Sequence, residues 1–297
     1  MSDAAVTLEV FQSLWAMEDL PSNSDRQWDL GQRVERIAEA GFAGLAVDLG
    51  AKQKPAAAEL MAVLAGSSLK TAVFAFIKQD HDIREALEYA AAVGASRMVV
   101  CGQVFSPDPR FLAETVMRWY TMAAAEGVEL ELETHRGTMT NDLRATGWLL
   151  DELDPVVRIA ADLSHLVCGC EIPDVPEPET DSLISRVLAR SGSLQGRISS
   201  RCQIQVPLGY PDFAGWEDRF RNWWEEGFAA IRAHHGLTRP GEETSVMFCT
   251  ELGTRPYAMV DDAGREISDR WAEALVLKSW AEEAFVASAT SRIPVTA

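Results

Sequence analysis

The feature that most constrains the fold is a local pattern that recurs along the chain. An alanine-rich amphipathic stretch is followed by a glycine and then by a short apolar run. Three examples are AEAGFAGLAVDLG, AAVGASRMVVCG and AAAEGVELELE, in which the glycines are Gly41, Gly94 and Gly127. Each glycine is placed to end a helix in a left-handed cap, after which the chain enters a buried strand. Near-continuous apolar strands that alternate with helices indicate a parallel sheet covered by helices.

Eight such strand–helix units can be placed in the 297 residues. Strands are predicted near residues 7–15, 43–48, 69–77, 97–101, 128–134, 157–162, 196–204 and 245–251. Helices are predicted near residues 27–40, 56–66, 81–93, 109–125, 140–152, 179–191, 213–234 and 268–288. Eight units that close on themselves make an α/β fold of the (β/α)8 TIM barrel type, predicted as a single domain over residues 1–297. The alternative is an open doubly wound sheet, which usually has a glycine-rich turn after its first strand. Here that turn reads WAMEDLPSNSD and contains no glycine.

Composition and charge exclude two broad classes of protein. The formal net charge of −18 argues against a nucleic-acid surface, because Lys and Arg supply most of the affinity for phosphates. No apolar run reaches the roughly 18 residues that a membrane span needs, and the start, MSDAAVTLEV, lacks the basic region of a signal peptide. Five cysteines spread through apolar runs are expected as reduced thiols. We therefore expect a cytoplasmic protein that binds a small molecule and neither nucleic acid nor membrane, with a homo-oligomer left open.

Three of the predicted strands end in a carboxylate. The strings ELETHRG, ADLSHLV and VMFCTELG deliver Glu133, Asp162 and Glu251. Side chains alternate along a strand and the apolar set must face the helices, so all three are predicted to point inward at the C-terminal end of the barrel. A single carboxylate at a strand end is more often a cap for the next helix. Three with the same parity favour a shared site that binds a metal or moves a proton.

Other side chains carry weaker signals. His135 and His165 follow two of these carboxylates closely, but a lone histidine is usually only hydrogen-bonded. Asp48, at the end of the second strand, suits a helix cap as well as a ligand. The packing face of one long helix is predicted to consist of tryptophans at spacing i, i+7 and i+8: Trp216, Trp223 and Trp224.

The predicted strand 196–204 adds basic and amide groups to the barrel interior. Alternation in GRISSRCQIQ points one set of side chains inward: Arg197, Ser199, Arg201 and Gln203. Deeper in the barrel, Glu129 and Glu131 share the inward parity of Glu133, and buried carboxylates are costly unless they are paired. Arg197 is predicted to be their counter-ion.

At these residues the chain resembles the xylose isomerase-like TIM barrels, a group of sugar phosphate isomerase/epimerase-like proteins that includes ketose 3-epimerases. The resemblance covers nearly the whole chain and is carried by ETHRG-x-M-T-N-D-L, ADLSH, QVP and TELG-x-x-PYA followed by SDRW. It implies that Glu133, Asp162 and Glu251 hold one divalent cation. Mn²⁺ is the first expectation, and Mg²⁺, Co²⁺ and Zn²⁺ are the alternatives. It also implies a histidine ligand where this chain has Gln195. An amide oxygen of Gln195, or of Gln203 as second candidate, would take that place.

The same resemblance implies a metal-dependent isomerase or epimerase that transfers a proton at the carbon next to a metal-bound carbonyl of a small sugar-like substrate. Glu133 and Glu251 would remove and return the proton. His165 and Arg201 would hold substrate oxygens, and His135 would orient Glu133 or donate to the substrate.

Two further functions remain open at this point. One is a metal-dependent lyase, such as a dehydratase or a deglycosylating enzyme on a keto sugar. The other is a metal-depleted barrel that binds a metabolite or a partner without catalysis. Apurinic endonucleases share the barrel, but they need a histidine-rich zinc site and a basic face, which five histidines and a charge of −18 argue against.

Overall fold

The computed structural model describes residues 6–291 and contains the closed barrel that the repeat predicts. Its eight strands pair in chain order, each neighbouring pair is parallel, and the last strand pairs with the first. The strands are β1 Val6–Ser13, β2 Gly44–Asp48, β3 Lys70–Ile77, β4 Arg97–Gly102, β5 Glu129–Glu133, β6 Arg158–Ala161, β7 Ser191–Gly196 and β8 Thr244–Thr250. The alternative of an open doubly wound sheet is thereby excluded.

Helices surround this barrel. They are α1 Leu30–Glu39, α2 Ala57–Leu64, α3 Asp80–Ala92, α4 Pro109–Ala125, α5 Leu143–Glu152, α6 Leu163–Gly169, α7 Pro178–Ala189, α8 Ala214–Thr238 and α9 Arg270–Ala287. The short helix α6 was not predicted; it begins directly after β6, where Asp162 accepts a hydrogen bond from the Ser164 N–H at 2.9 Å. Within residues 6–291, no helix is long and apolar enough to cross a membrane.

Local sequence signals set the ends of these helices. Asp29 and Gln32 form a reciprocal capping box at the start of α1, and Asp142 accepts two backbone N–H groups at the start of α5. Such caps satisfy N–H groups that have no partner inside the helix. At the other ends, Gly41, Gly94 and Gly127 have φ of +70°, +65° and +71°. The predicted left-handed glycine caps are confirmed.

The core has two layers. Between the strands and the helices lies the larger apolar cluster, to which α8 contributes the buried face of Trp216, Trp223 and Trp224, as predicted. Inside the barrel lies a smaller cluster, made of Phe11, Ala46, Ala72, Phe74, Val99, Ala160, Met247 and Cys249. The inner cluster fills the barrel below its C-terminal mouth, where the ends of the strands can form a site.

One predicted strand was placed wrongly. The chain forms β7 over Ser191–Gly196 rather than 196–204, and residues 197–204 belong to the loop that follows. The predicted helix 179–191 ran too far, since α7 ends at Ala189. The physical reason is that SGSLQG contains small and polar residues without β-branched side chains, so it carries no strand signal. Its burial inside the barrel is what makes it a strand.

Candidate functional site

Three carboxylates meet at the C-terminal mouth of the barrel. Glu133 ends β5, while Asp162 and Glu251 directly follow β6 and β8. All three are buried, and one carboxylate oxygen from each lies within 4.8 Å of the others. Two unit charges at this separation repel by about 3–4 kcal/mol at an effective dielectric constant near 20. The cluster therefore needs protons or a cation, and these acidic groups could hold a metal ion.

A guanidinium lies against two of these carboxylates. Arg197, the first residue after β7, is 1% exposed. Its Nη2 atom is 3.2 Å from Asp162 Oδ2 and 3.1 Å from Glu251 Oε2. The ion pairs are close, yet the N–H groups are not aligned as hydrogen bonds, and both oxygens lack a hydrogen-bond donor within residues 6–291. Among residues 6–291, Arg197 is the only Arg or Lys whose side-chain nitrogen lies within 4.0 Å of a carboxylate of this cluster.

The prediction that Arg197 neutralises Glu129 and Glu131 is wrong. Since β7 ends at Gly196, Arg197 lies at the mouth of the barrel, whereas the two glutamates lie lower on β5. Glu129 is half exposed and has Arg97 at 4.0 Å. Glu131 is buried and accepts a hydrogen bond from the Ser193 hydroxyl, and burial raises its pKa to about 7.

Two aromatic rings hold the guanidinium in place. The Cζ atom of Arg197 is 5.5 Å from the Trp15 ring centroid and 4.8 Å from that of Tyr257, and these rings contact each other edge to face. Such contacts stabilise a desolvated cation and favour Arg because its planar group stacks well. The Nε and Nη1 atoms of Arg197 are buried and donate to no acceptor within the described chain. Two hydrogen-bond donors therefore remain free beside the cluster.

Burial shifts the pKa values of the carboxyl groups upward. The pKa of Glu133 is raised well above its ordinary value by burial, and next by the charges of Glu251 and Asp162. Burial raises the pKa of Glu251 to about 8, although Arg197 opposes the shift. Burial also raises the pKa of Asp48 to about 6. Carboxyl groups with pKa values near neutrality can exchange protons at physiological pH.

Asp48 ends β2 and lines the cavity at the barrel mouth. Its carboxylate accepts a hydrogen bond from the Gly50 N–H at 2.7 Å, which caps a turn and not the start of α2. Asp48 belongs to neither group of side chains that could hold a metal ion among residues 6–291. It is therefore a turn cap in this structure, and its role as a ligand stays a prediction.

Both predicted histidines reach the site. The rings of His135 and His165 stack with centroids 3.7 Å apart, and His165 Nε2 is 3.6 Å from Asp162 Oδ2. Burial lowers the pKa of His135 to about 4, and burial followed by His135 lowers that of His165. Both imidazoles are therefore neutral. His135 Nδ1 lies 2.5 Å from the Arg136 carbonyl oxygen, which can only accept, so Nδ1 carries the proton and Nε2 is a free acceptor.

These histidines also form a second group of candidate metal ligands. Ring nitrogens of His135 and His165 and an oxygen of Glu133 lie within 4.8 Å of one another. The sequence indicated each histidine only beside its own carboxylate, and the histidine ligand was expected at the position of Gln195. No local pattern indicates that His135, just after β5, and His165, in α6, meet.

The two glutamine candidates differ in position. Gln195 on β7 is 1% exposed, and neither its Oε1 nor its Nε2 has a hydrogen-bond partner among residues 6–291. A buried amide without partners is costly, which indicates a group that interacts with a ligand. Gln203 is exposed on the following loop and accepts a hydrogen bond from Ser200 at 2.5 Å. Of the two, Gln195 is the amide buried in the barrel.

Arg201 lies outside the cluster. Its side chain is 44% exposed on the loop after β7, with Glu171 at 3.9 Å. It does not line the cavity at the barrel mouth, so its role in binding substrate stays a prediction.

A cavity of about 190 Å³ opens above the cluster. Its lining combines the charged groups with aromatic walls: Trp15, Asp48, Phe74, Phe76, Cys101, Glu133, His135, Arg197, Glu251 and Tyr257. The Cys101 thiol donates to Glu133 Oε2 at 3.0 Å. Trp15 and Tyr257 were not predicted from the sequence, because they lie in the connections after β1 and β8, far apart in the chain. Apolar walls with a few convergent polar groups are typical of a small-molecule site.

Comparison with known proteins identifies solved structures that have this architecture. No family model and no curated protein matches the sequence. Solved structures do match. A structure of L-ribulose 3-epimerase is 14% identical and has a TM-score of 0.58, over 96% of this chain and 99% of its own. A xylose isomerase-like TIM barrel protein from Mycobacterium smegmatis, in complex with magnesium, is 15% identical with a TM-score of 0.59, over 94% and 98%.

This chain has the fold of the xylose isomerase-like TIM barrels. D-allulose 3-epimerase from Methylomonas sp., in complex with D-allulose, has the same fold at 16% identity, with a TM-score of 0.54 over 95% of this chain and 98% of that one. At these identities the similarity establishes the fold, and function must be argued from the site itself.

Proposed function

We propose that this protein is an isomerase or epimerase that transfers a proton at the carbon next to a carbonyl of a small sugar-like substrate. The observation that carries the proposal is the convergence of Glu133, Glu251 and Arg197 on one small cavity at the barrel mouth. Two buried carboxyl groups beside a buried cation are the parts that this reaction needs, because the proton moves and negative charge develops on oxygen.

Glu133 and Glu251 are the proposed proton carriers. Their raised pKa values favour a state in which one carboxyl holds a proton and the other is free to accept one. Abstraction by one group leaves an enediolate. Return of a proton by the other group to the opposite face of the same carbon gives the epimer. Return to the former carbonyl carbon, with a proton passed from the hydroxyl oxygen to the former carbonyl oxygen, gives the isomer. The free N–H groups of Arg197 would donate to the enediolate oxygen as its charge develops.

The donor atoms, taken by themselves, are of the kind that binds a hard divalent cation. Glu133, Asp162 and Glu251 offer carboxylate oxygens, and the unpartnered amide of Gln195 lies on the neighbouring strand. Oxygen donors of this kind favour Mn²⁺ or Mg²⁺ over softer metals, and an ion held there would supply Lewis-acid stabilisation of the substrate oxygen. Arg197 already lies against two of these carboxylates, however, and its charge opposes such an ion.

The neutral histidines are proposed to bind substrate hydroxyls. His135 presents Nε2 as an acceptor, and both ring nitrogens of His165 lack a hydrogen-bond partner within the described residues. Neutral imidazoles can accept or donate without adding charge to the cavity. Arg201 would join them only if its side chain turned from Glu171 towards the mouth. Phe74 and Phe76 give the apolar faces of a sugar ring a surface to contact.

The proposal is tested with a panel of ketopentoses and ketohexoses, free and phosphorylated, whose products are separated by chromatography. The substrate class is suggested by structural neighbours named as L-ribulose and D-allulose 3-epimerases. We expect turnover of at least one sugar and a loss of about 10²–10⁴-fold in Glu133→Gln and Glu251→Gln, the usual worth of general acid–base catalysis. The matched control is Glu129→Gln, since Glu129 is on the same strand as Glu133 but half exposed at its far end.

Two results would contradict the proposal. One is full activity in both site variants. The other is loss of water or of a β-substituent from the sugar in place of isomerisation, which would indicate a lyase.

A further inference from the structure

We propose that Arg197 is the resident cation of the carboxylate cluster, that its guanidinium excludes a tightly bound divalent metal, and that the native site uses its free N–H groups where a metal would otherwise act. The exclusion of metal is independent of any activity. Only the last part rests on the proposed function.

Arg197 contacts oxygen atoms of carboxylates that could hold a metal. Arg197 Nη2 lies 3.2 Å from Asp162 Oδ2 and 3.1 Å from Glu251 Oε2. These are oxygens of two of the three carboxylates that could hold a metal. A divalent ion that bound both would lie close to a guanidinium that contacts the same atoms. Two like charges at such a distance in a buried site repel strongly, so the cations compete.

The Arg197 guanidinium cannot easily leave the carboxylate cluster. It is fully buried, with the rings of Trp15 and Tyr257 at 5.5 and 4.8 Å. Arg remains charged at every physiological pH, so it would have to carry its charge out between two rings.

The remaining side chains near the cluster are weak ligands for a metal ion. Gln195 offers a neutral amide, which binds transition metals less strongly than an imidazole does. The other candidate group, Glu133 with His135 and His165, contains a single carboxylate. It is also within the field of Arg197, whose charge contributes to lowering the pKa of both histidines. Neither group compensates for the guanidinium.

Arg197 offers hydrogen-bond donors where a metal would otherwise act. Its Nε and Nη1 atoms are buried and find no acceptor among residues 6–291, although the side chain lines the cavity. The N–H groups of Nε and Nη1 point to different sides of the planar guanidinium, so each can donate to a separate oxygen. The ligand chemistry that they would recognise is an oxygen that carries or develops negative charge, such as that of an enediolate.

The test is a direct measurement of Mn²⁺ binding by isothermal titration calorimetry and by the electron paramagnetic resonance signal of free Mn²⁺. For the native protein we expect a Kd weaker than about 1 mM. In Arg197→Ala and Arg197→Gln the cluster loses its resident cation, and we expect Mn²⁺ affinity to rise at least tenfold. The matched control is Arg197→Lys, which keeps a charge at the position and should bind Mn²⁺ as weakly as the native protein.

Tight Mn²⁺ binding by the native protein, or equal binding by native protein, Arg197→Ala and Arg197→Gln, would overturn the inference. If both neutral variants unfold, as circular dichroism would show, the native titration still decides, because tight binding there contradicts exclusion. A protein that turns over no sugar but whose neutral variants gain Mn²⁺ affinity would leave the exclusion standing and remove the proposed function. If turnover is found, it should survive treatment with EDTA, and its loss would refute the catalytic part.

Discussion

Arg270, at the start of α9, joins the two loops that frame the candidate site. Its Nε donates to Glu266 Oε2 at 2.7 Å, and both side chains are almost fully buried. Its other nitrogens donate to backbone carbonyls of the loop after β1 and of the segment after β8: Ala16, Glu18 and Leu252. Arg270→Met removes the charge and the donors while keeping a long apolar side chain.

The loss of unfolding free energy follows from the buried groups that Arg270→Met leaves without a partner. Breaking a buried ion pair by removing one partner typically costs about 3–5 kcal/mol, because the other charge stays buried without compensation. The three carbonyls lose a donor as well, each worth about 1 kcal/mol when no water replaces it. We therefore expect Arg270→Met to lower the free energy of unfolding by about 3–5 kcal/mol if water replaces the three donors, and by about 6–8 kcal/mol if it does not. Adding Glu266→Gln should recover about 1–3 kcal/mol of that loss, since the stranded carboxylate is then gone.

Urea denaturation followed by fluorescence and circular dichroism measures these differences. Arg265→Met is the control, because Arg265 pairs with Asp261 at 2.7 Å but has a side chain that is 68% exposed. Exposed pairs contribute only about 0–1 kcal/mol. A loss below about 1 kcal/mol in Arg270→Met, or additive losses in the double variant, would refute the account of a buried clamp.

Two further predictions concern packing and pH. A Cβ built on Gly44 would lie 2.5 Å from the Lys70 carbonyl oxygen of the neighbouring strand, so Gly44→Ala should lower the unfolding free energy by about 1–3 kcal/mol. Gly215→Ala, with nothing within 4 Å of its Cβ, is the control, and equal stability of the two variants would contradict the prediction. Burial raises the pKa of Glu273 from 4.5 to about 7, so its contribution to stability is complete below the unfolded pKa and is lost as pH rises through 7. Between pH 5 and pH 8 the native protein should lose about 2–3 kcal/mol more than Glu273→Gln does; parallel pH profiles of stability would refute this.

The sequence was sufficient for the barrel because the relevant signals are local and repeated. Each glycine cap and each apolar strand reports on a few neighbouring residues, and eight repeats of the same unit admit few closed arrangements. The meeting of Glu133, Asp162 and Glu251 followed from the same local alternation, since the strands carry their ends to one side of the barrel. Asp162 shows that the two interpretations of a strand-end carboxylate are compatible: Oδ1 caps α6 and Oδ2 faces Arg197.

What the sequence could not provide depends on long-range packing. The strand β7 is made of small polar residues and is a strand only because β6 and β8 lie on either side of it. Because this strand was predicted too late in the sequence, Arg197 was expected deep in the barrel, beside Glu129 and Glu131, rather than at its mouth. The contributions of Trp15 and Tyr257 come from loops separated by the whole barrel. No local pattern indicates that these two rings enclose a guanidinium.

The most direct test of the central claim is incorporation of solvent deuterium. With a sugar from the panel incubated in D₂O, we predict that the native protein introduces deuterium at the carbon next to the carbonyl, as detected by NMR and mass spectrometry. Glu133→Gln and Glu251→Gln should slow this exchange by about 10²–10⁴-fold, and Glu129→Gln should leave it unchanged. If the native protein exchanges no carbon-bound hydrogen in any sugar of the panel, or exchanges it equally fast in both site variants, proton transfer by these carboxylates is not its function.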